Sequence, residues 1–206
     1  MKRTLAFAAS LLLLGACSSD GYTIRGKIAG LDNPYVYLLR YTGEVEVIDS
    51  AKVTKGDFVF KGKAEQPEVV YLSTDKQQPF VHFFLENGRI SVDGALSAPA
   101  DIAVLGTPSN DIQRAFDEKI AALEEEFAKA GNDVQRDSLR KEYSKLMSDA
   151  VEMNRDNIYG VTTFLNNAYA FLSPEEVMGQ IALFPAEWQQ RRELTELREA
   201  TERKSA

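Results

Sequence analysis

Few side chains of this 206-residue sequence can perform chemistry, because it contains one histidine and one cysteine. Without a second histidine or a free thiol near His82, a zinc site would need an unusual number of carboxylates. A Ser-His-Asp site would need an exposed nucleophile, such as the serine of a Gly-x-Ser-x-Gly turn, and the sequence has no such turn. We therefore expect no catalytic residue, no metal and no cofactor, and a structural role for His82 in its hydrophobic strand.

A run of three carboxylates, Glu124, Glu125 and Glu126, is the densest acidic cluster. Successive residues of a helix point about 100° apart, so these side chains cannot converge on one ion. The run predicts a solvated helix face.

The cysteine follows an apolar segment at the N-terminus. Lys2 and Arg3 precede residues 5–14, which are almost all apolar, and small residues then lead to Cys17. This order of charged, apolar and small residues is typical of a secretory signal peptide. Ten apolar residues are too few to cross a bilayer, which needs about 20.

The segment Leu14-Gly15-Ala16-Cys17 resembles the bacterial lipoprotein signal, which is cleaved just before the cysteine. The resemblance implies a signal peptide over residues 1–16 and a lipidated N-terminus and tether over residues 17–21. Cys17 would then hold the protein to the membrane through acyl chains. Ser18, in the place of Asp, favours the outer membrane over the inner. The alternative is an ordinary secretory signal with a cysteine near its cleavage site.

The composition after cleavage excludes several classes of function. If Cys17 carries lipid, no thiol is left for disulfides, thiolate catalysis or metal binding. Removal of Lys2 and Arg3 changes the formal charge from −7 to −9, and both halves of the chain are acidic. We therefore expect no binding to nucleic acid.

Residues 22–106 alternate apolar and polar side chains with a period of two, as in half-buried strands. Tyr22, Ile24 and Ile28 are the first inward-facing set. Lys55-Gly56 and Asn87-Gly88 predict tight hairpin turns, because glycine accepts a positive φ. About eight short strands predict an antiparallel β-sandwich or a small barrel.

Residues 107–206 follow a helical period of 3.6 instead. Thr107-Pro108 predicts a helix start, Asp133 a second cap, and Ser173 with Glu176 a capping box. A last helix is expected around Trp188, Leu194 and Leu197. With about five helices behind the strands, the fold class is α+β, and the short connection favours a single body.

Aromatic side chains are the best candidates for contact with other molecules. Tyr35, Tyr37 and Tyr41 share one face of a predicted strand, and flat rings of this kind pack on sugars. Most other aromatic residues of residues 22–84 alternate inward, which favours core packing. Trp188 lies on a charged, weakly amphipathic helix and is the best single contact candidate.

Five segments carry a family resemblance. They are residues 22–28, 48–53, 56–62, 84–92 and 106–111, which read YTIRGKI, IDSAKV, GDFVFKG, FLENGRISV and GTPSND. Together they resemble a domain of unknown function found at the N-terminus of lipid-anchored, thioredoxin-like proteins of gut anaerobes. The helical segments fit the same architecture. The redox activity of those proteins belongs to a Cys-x-x-Cys domain that this sequence does not contain, so the resemblance implies a fold and no catalytic residue.

These observations favour a non-catalytic, lipid-anchored envelope protein that acts as a binding or spacer module. Its partner would be another envelope protein, such as a separate redox protein. The first alternative is an accessory or truncated component of a thiol-disulfide oxidoreductase system, and the second is a glycan-binding lipoprotein.

Overall fold

The computed structural model describes residues 20–205, which begin with eight β-strands. The strands are Tyr22–Ala29 (β1), Tyr35–Tyr41 (β2), Val45–Lys52 (β3), Asp57–Gly62 (β4), Glu68–Ser73 (β5), Pro79–Leu85 (β6), Gly88–Ala95 (β7) and Ala103–Leu105 (β8). A 3-10 turn, Pro99–Asp101, lies between β7 and β8.

The strands form two four-stranded sheets. The first sheet has the order β4-β1-β7-β8 and the second has the order β3-β2-β5-β6. The two-sheet arrangement and the α+β class confirm the predicted fold. One pair differs from an all-antiparallel arrangement, because β1 and β7 run parallel, with Tyr22 opposite Gly88 and Ala29 opposite Ala95.

The two predicted hairpin turns have different outcomes. At the first, Lys55 and Gly56 have φ angles of 54° and 84°, and Thr54 and Asp57 exchange backbone hydrogen bonds of 2.9 and 3.0 Å. This is the expected tight turn, although β3 and β4 then continue into different sheets. The second prediction is wrong. Asn87-Gly88 is a crossing between the sheets, because β6 pairs only with β5 and β7 pairs with β1 and β8.

The core of the sandwich is the apolar layer between the two sheets. Every second side chain of the central strands points into it, as the period of two predicts. Ile24 and Ile28 are fully buried and Tyr22 is nearly so. From the two sheets, the other main contributors are Phe58, Phe60, Ile90, Val92, Val36, Leu38, Val70, Leu72, Phe83 and Leu85.

Six helices follow the sandwich. They are Pro108–Lys129 (α1), Asp133–Glu152 (α2), Ile158–Phe171 (α3), Pro174–Ala182 (α4), Ala186–Gln189 (α5) and Arg192–Ser205 (α6). The expected last helix is divided in two, because the chain leaves the helix after Gln190 and α6 starts at Arg192. Trp188 therefore lies on a one-turn helix, and Leu194 and Leu197 lie on α6.

The helix caps agree with the sequence at two of three starts. Thr107 is the N-cap residue of α1 with Pro108 in the first position, and Ser173 and Glu176 form the capping box of α4. The cap assigned to Asp133 is wrong. Asn132 is the N-cap residue of α2, and its side chain accepts a hydrogen bond of 2.9 Å from the Gln135 amide. Asn and Asp cap helices about equally well, so residue type alone does not show which of Asn132 and Asp133 is the cap.

The helices cover one half of the outer face of the second sheet. Phe84 and Val69 point away from the sandwich core and pack with Phe116 of α1 and Tyr159 of α3. The Tyr159 ring stacks on Phe116 at 5.5 Å and meets Phe84 edge-on at 6.1 Å, and burial raises the pKa of its phenol to about 12. A second apolar cluster joins α3, α4 and α6. No helix within residues 20–205 has the length and hydropathy needed to span a membrane.

Candidate functional site

The outer face of the same sheet also carries rings that are exposed or half-buried. We call this surface the tyrosine face and define it by Tyr35, Tyr37, Tyr41, Tyr71 and His82, with Val45 and Val47 beside them. Cross-strand pairing sets their common orientation. Val45 lies opposite Tyr41, Val47 lies opposite Leu39, and Tyr71 lies between Leu39 and His82.

Four large side chains of the tyrosine face are exposed to solvent. Tyr35 is 47% exposed, Tyr41 37%, Val45 44% and Val47 42%. Leu39, on the same face between Val47 and Tyr71, is fully buried, and Val36 and Leu38 on the opposite side of the strand pack in the sandwich core. Contiguous exposed apolar surface of this kind marks interaction sites in soluble domains.

Ring contacts hold the tyrosine face in place. Tyr41 meets Tyr71 edge-on with ring centroids 4.7 Å apart, and Tyr71 lies 6.0 Å from the His82 ring. Burial raises the pKa of the Tyr71 phenol, and Tyr41 adds to the effect. The Tyr71 phenol is therefore neutral at neutral pH, and its ring lies between the Tyr41 and His82 rings.

A structured turn borders Tyr37. Between β5 and β6, the Asp75 carboxylate accepts backbone hydrogen bonds from Gln77 (2.9 Å) and Gln78 (2.8 Å), which hold its pKa below the ordinary value. Lys76 has a φ of 65°, a conformation that few non-glycine residues adopt. In this conformation its ammonium lies 4.6 Å from the centroid of the Tyr37 ring.

His82 lies in the predicted strand, and its structural role stays a prediction. Its side chain is exposed, because it occupies an outward position of the edge strand β6, opposite Tyr71. Asp117 of α1 lies near enough for the two charges to interact. Burial raises the pKa of the Asp117 carboxyl, while its hydrogen bond with Gln113 and the charge of His82 oppose that effect. His82 thus belongs to the tyrosine face and not to the core.

Polar residues at the start of α1 clamp the helix to the second sheet. The buried Asn110 amide accepts a hydrogen bond from the Phe84 amide (2.9 Å) and donates to the Phe84 carbonyl (2.8 Å) and to Thr107 Oγ1 (2.7 Å). The Glu86 carboxylate accepts from Ser109 N (3.1 Å) and Oγ (2.6 Å). These contacts satisfy the Phe84 amide and carbonyl on the free edge of β6 and the Ser109 amide in the first turn of α1.

These residues lie in the last two of the five segments that carry the family resemblance, residues 84–92 and 106–111. Asn87 has a similar role, since its side chain accepts from the Ala64 amide (2.9 Å) and donates to the Ala64 carbonyl (2.8 Å). Glu86, Ser109 and Asn110 therefore join the sandwich to α1, and Asn87 joins the β6–β7 connection to the loop between β4 and β5.

The comparison with known families gives a match that ends near the start of α1. Residues 22–113 match the model of DUF4369, a domain of unknown function. The DUF4369 match covers both sheets and ends just after Asn110, so it contains the clamp and leaves most of the helical region outside. A comparison with curated proteins gives no match.

The remaining predicted site residues lie away from the tyrosine face or outside the described residues. Trp188 is half-buried, packs against two helical clusters and lies under the Arg191 guanidinium, 5.2 Å from its ring. The structure therefore gives Trp188 packing contacts, and its role as a contact residue stays a prediction. Cys17 and the predicted signal peptide, residues 1–16, lie outside the described residues 20–205. The Glu124–Glu126 run is exposed, as expected.

Metal binding finds no support within the described part of the chain, where no three His, Cys, Asp or Glu side chains are grouped to hold an ion. Sequence reasoning found the three tyrosines of β2 but missed Tyr71 and His82. The alternation along β5 and β6 puts Tyr71 and His82 at outward positions of their own strands. Only the pairing of β2, β5 and β6 shows that both residues lie on the same face as Tyr41.

Proposed function

We propose that the chain is a non-catalytic, lipid-anchored protein of the bacterial cell envelope, in the outer membrane, that binds another envelope protein through the tyrosine face. The observation that carries the binding role is the row of exposed rings and valines on a packed sheet. Tyrosine supplies large contact area with few rotatable bonds, which is why it is enriched at protein interfaces. A separate redox protein is one partner of the required kind.

A crosslinking experiment tests the binding role in cells. A photoreactive phenylalanine replaces Tyr35 in one strain and Val59 in another. Val59 is the matched control, because it is 50% exposed and lies on β4 of the opposite sheet. We expect one defined protein adduct from position 35 and none from position 59. Equal adducts from both positions, or none from position 35, would remove the tyrosine face as the partner site.

A glycan is the second candidate ligand, because the exposed Tyr35 and Tyr41 rings offer flat apolar surfaces to sugars. Tyr35→Ser and Tyr41→Ser should then abolish binding on a glycan array, while Val59→Ser keeps it. An array without hits leaves only the protein partner.

The anchor has its own test, independent of the tyrosine face. Cys17→Ala should abolish incorporation of labelled palmitate and release the protein from the membrane fraction, because it removes the acceptor sulfur. The circular dichroism spectrum should not change, since the folded body starts after this residue. Membrane retention of the variant would show that another group tethers the chain.

A further inference from the structure

An apolar groove lies in the helical region. It has a volume of about 760 Å³ and lies between the α1–α2 hairpin and the α3–α4 segment. Leu139, Tyr143, Met147 and Val151 of α2 form one side, and Phe164 and Leu183 lie on the other. This volume is within the range of small-molecule sites, and a mainly apolar lining is typical of them.

The side formed by α2 has the length of one acyl chain. Its four apolar residues recur every fourth position, so they form a single row that is inclined to the helix axis. From Leu139 to Val151 the row extends about 18 Å at 1.5 Å per residue. One leaflet of a bilayer, half of a 30 Å hydrocarbon core, is about 15 Å deep. A single extended chain therefore matches the row.

Charges are placed at one end of this row. Arg155 follows Val151 by another four residues and donates to the Gln180 side-chain oxygen (2.9 Å) and carbonyl (3.4 Å), with its guanidinium 5.5 Å from the Phe184 ring. Glu152 lines the same end. Within residues 20–205 neither Arg155 nor Glu152 takes part in a salt bridge.

The far end of the groove is different. There Arg140 is neutralised by Asp137 at 2.6 Å and lies over the Phe127 ring, 5.6 Å from its centroid. Glu124, the remaining charged lining residue, is exposed on α1. The groove therefore combines an apolar row with one end at which a cation and a carboxylate both lack an ionic partner.

We propose that this groove binds a single-chain zwitterionic lipid of the lysophosphatidylethanolamine type. The acyl chain lies along the α2 row, the phosphate meets Arg155, and the ammonium meets Glu152. Guanidinium groups bind phosphate through paired, charge-assisted hydrogen bonds, which suits the fixed position of Arg155. Both charges of the headgroup thereby find the complementary charge at the same end of the groove.

Titration calorimetry with palmitoyl lysophosphatidylethanolamine below its micelle concentration tests the proposal. The protein is the full chain with Cys17→Ala, so that no acyl chain of its own competes. We expect saturable binding of one lipid. Ser148→Trp, which fills the groove, should weaken binding at least tenfold, whereas Ser138→Trp, on the same helix but outside the groove, should not.

Headgroup variants separate this lipid from a simple fatty acid. Arg155→Gln should weaken lysolipid binding about tenfold, as loss of a charge-assisted hydrogen bond would, while Arg25→Gln on β1 leaves it unchanged. Glu152→Gln should weaken the lysolipid and not palmitate, which has no ammonium.

Three results would overturn the proposal. The first is equal lysolipid binding by Ser148→Trp and the parent chain. The second is that palmitate binds as tightly as the lysolipid and that Glu152→Gln weakens neither ligand. The third is exclusion of the lysolipid from the acylated Cys17 form, which would assign the groove to the protein's own anchor. Unchanged circular dichroism melting curves verify that the variants are folded.

Discussion

Replacement of Asn110 by alanine should weaken the attachment of α1 to the second sheet. Asn110 is 2% exposed, and its amide makes three hydrogen bonds, two of them to the backbone of Phe84 on the edge of β6. In Asn110→Ala the Phe84 amide and carbonyl lose these partners. Each buried polar group left without a partner costs about 1–3 kcal/mol. We expect the free energy of unfolding to fall by about 3 kcal/mol for the two groups together.

Urea denaturation at pH 7, followed by circular dichroism, measures this loss. Asn132→Ala is the matched control, because Asn132 is exposed and makes a single capping hydrogen bond to Gln135 at 2.9 Å, and loss of such a cap costs about 1 kcal/mol. Asn110→Asp should not restore stability, since its second carboxylate oxygen would face the Phe84 carbonyl. A loss for Asn110→Ala no greater than that for Asn132→Ala would refute the assignment of this side chain as the clamp.

Two further substitutions test the sandwich and the turn beside the tyrosine face. Gly26→Ala should lower the free energy of unfolding by about 1–3 kcal/mol in the same urea assay, because its Cβ would lie 1.9 Å from Phe58 Cζ in the core, whereas Gly179→Ala, which meets no atom within 4 Å in α4, should not destabilise. Asp75→Asn should lower the melting temperature at pH 7, because the hydrogen bonds that depress the pKa of Asp75 stabilise its charged form in the folded state. That stabilisation is present above the ordinary pKa of 3.8 and is lost as the pH falls through the lower folded value, so calorimetry should show the gap closing in acid. A gap that is independent of pH would contradict the sign of the shift.

Alternation along each strand was enough to predict most of the sandwich. Ile24, Ile28, Val36 and Leu38 are buried where the period of two puts them, because a half-buried sheet leaves no other placement for large apolar side chains. The pairing of distant strands could not be predicted in this way. Asn87-Gly88 has the composition of a hairpin, yet it joins two sheets, since the open edge of β1 accepts β7 in parallel.

The candidate site was predicted in part for the same reason. Tyr35, Tyr37 and Tyr41 were found from one strand, whereas Tyr71 and His82 joined them only through the pairing of β2, β5 and β6. The groove was not predicted at all. Leu139, Tyr143, Met147 and Val151 have the spacing of an ordinary buried helix face, and only the packing of the helices shows that the row is partly open.

The position of β1 in the first sheet has a consequence for how the chain reaches its native state. Tyr22 is the opening residue of a central strand, and its parallel neighbour begins 66 positions later at Gly88. A contact between such remote positions requires closing a long loop, which slows folding. A nascent chain therefore cannot complete this ladder before Ala95 has been released, whereas the antiparallel ladder between β1 and β4 needs only the residues up to Gly62.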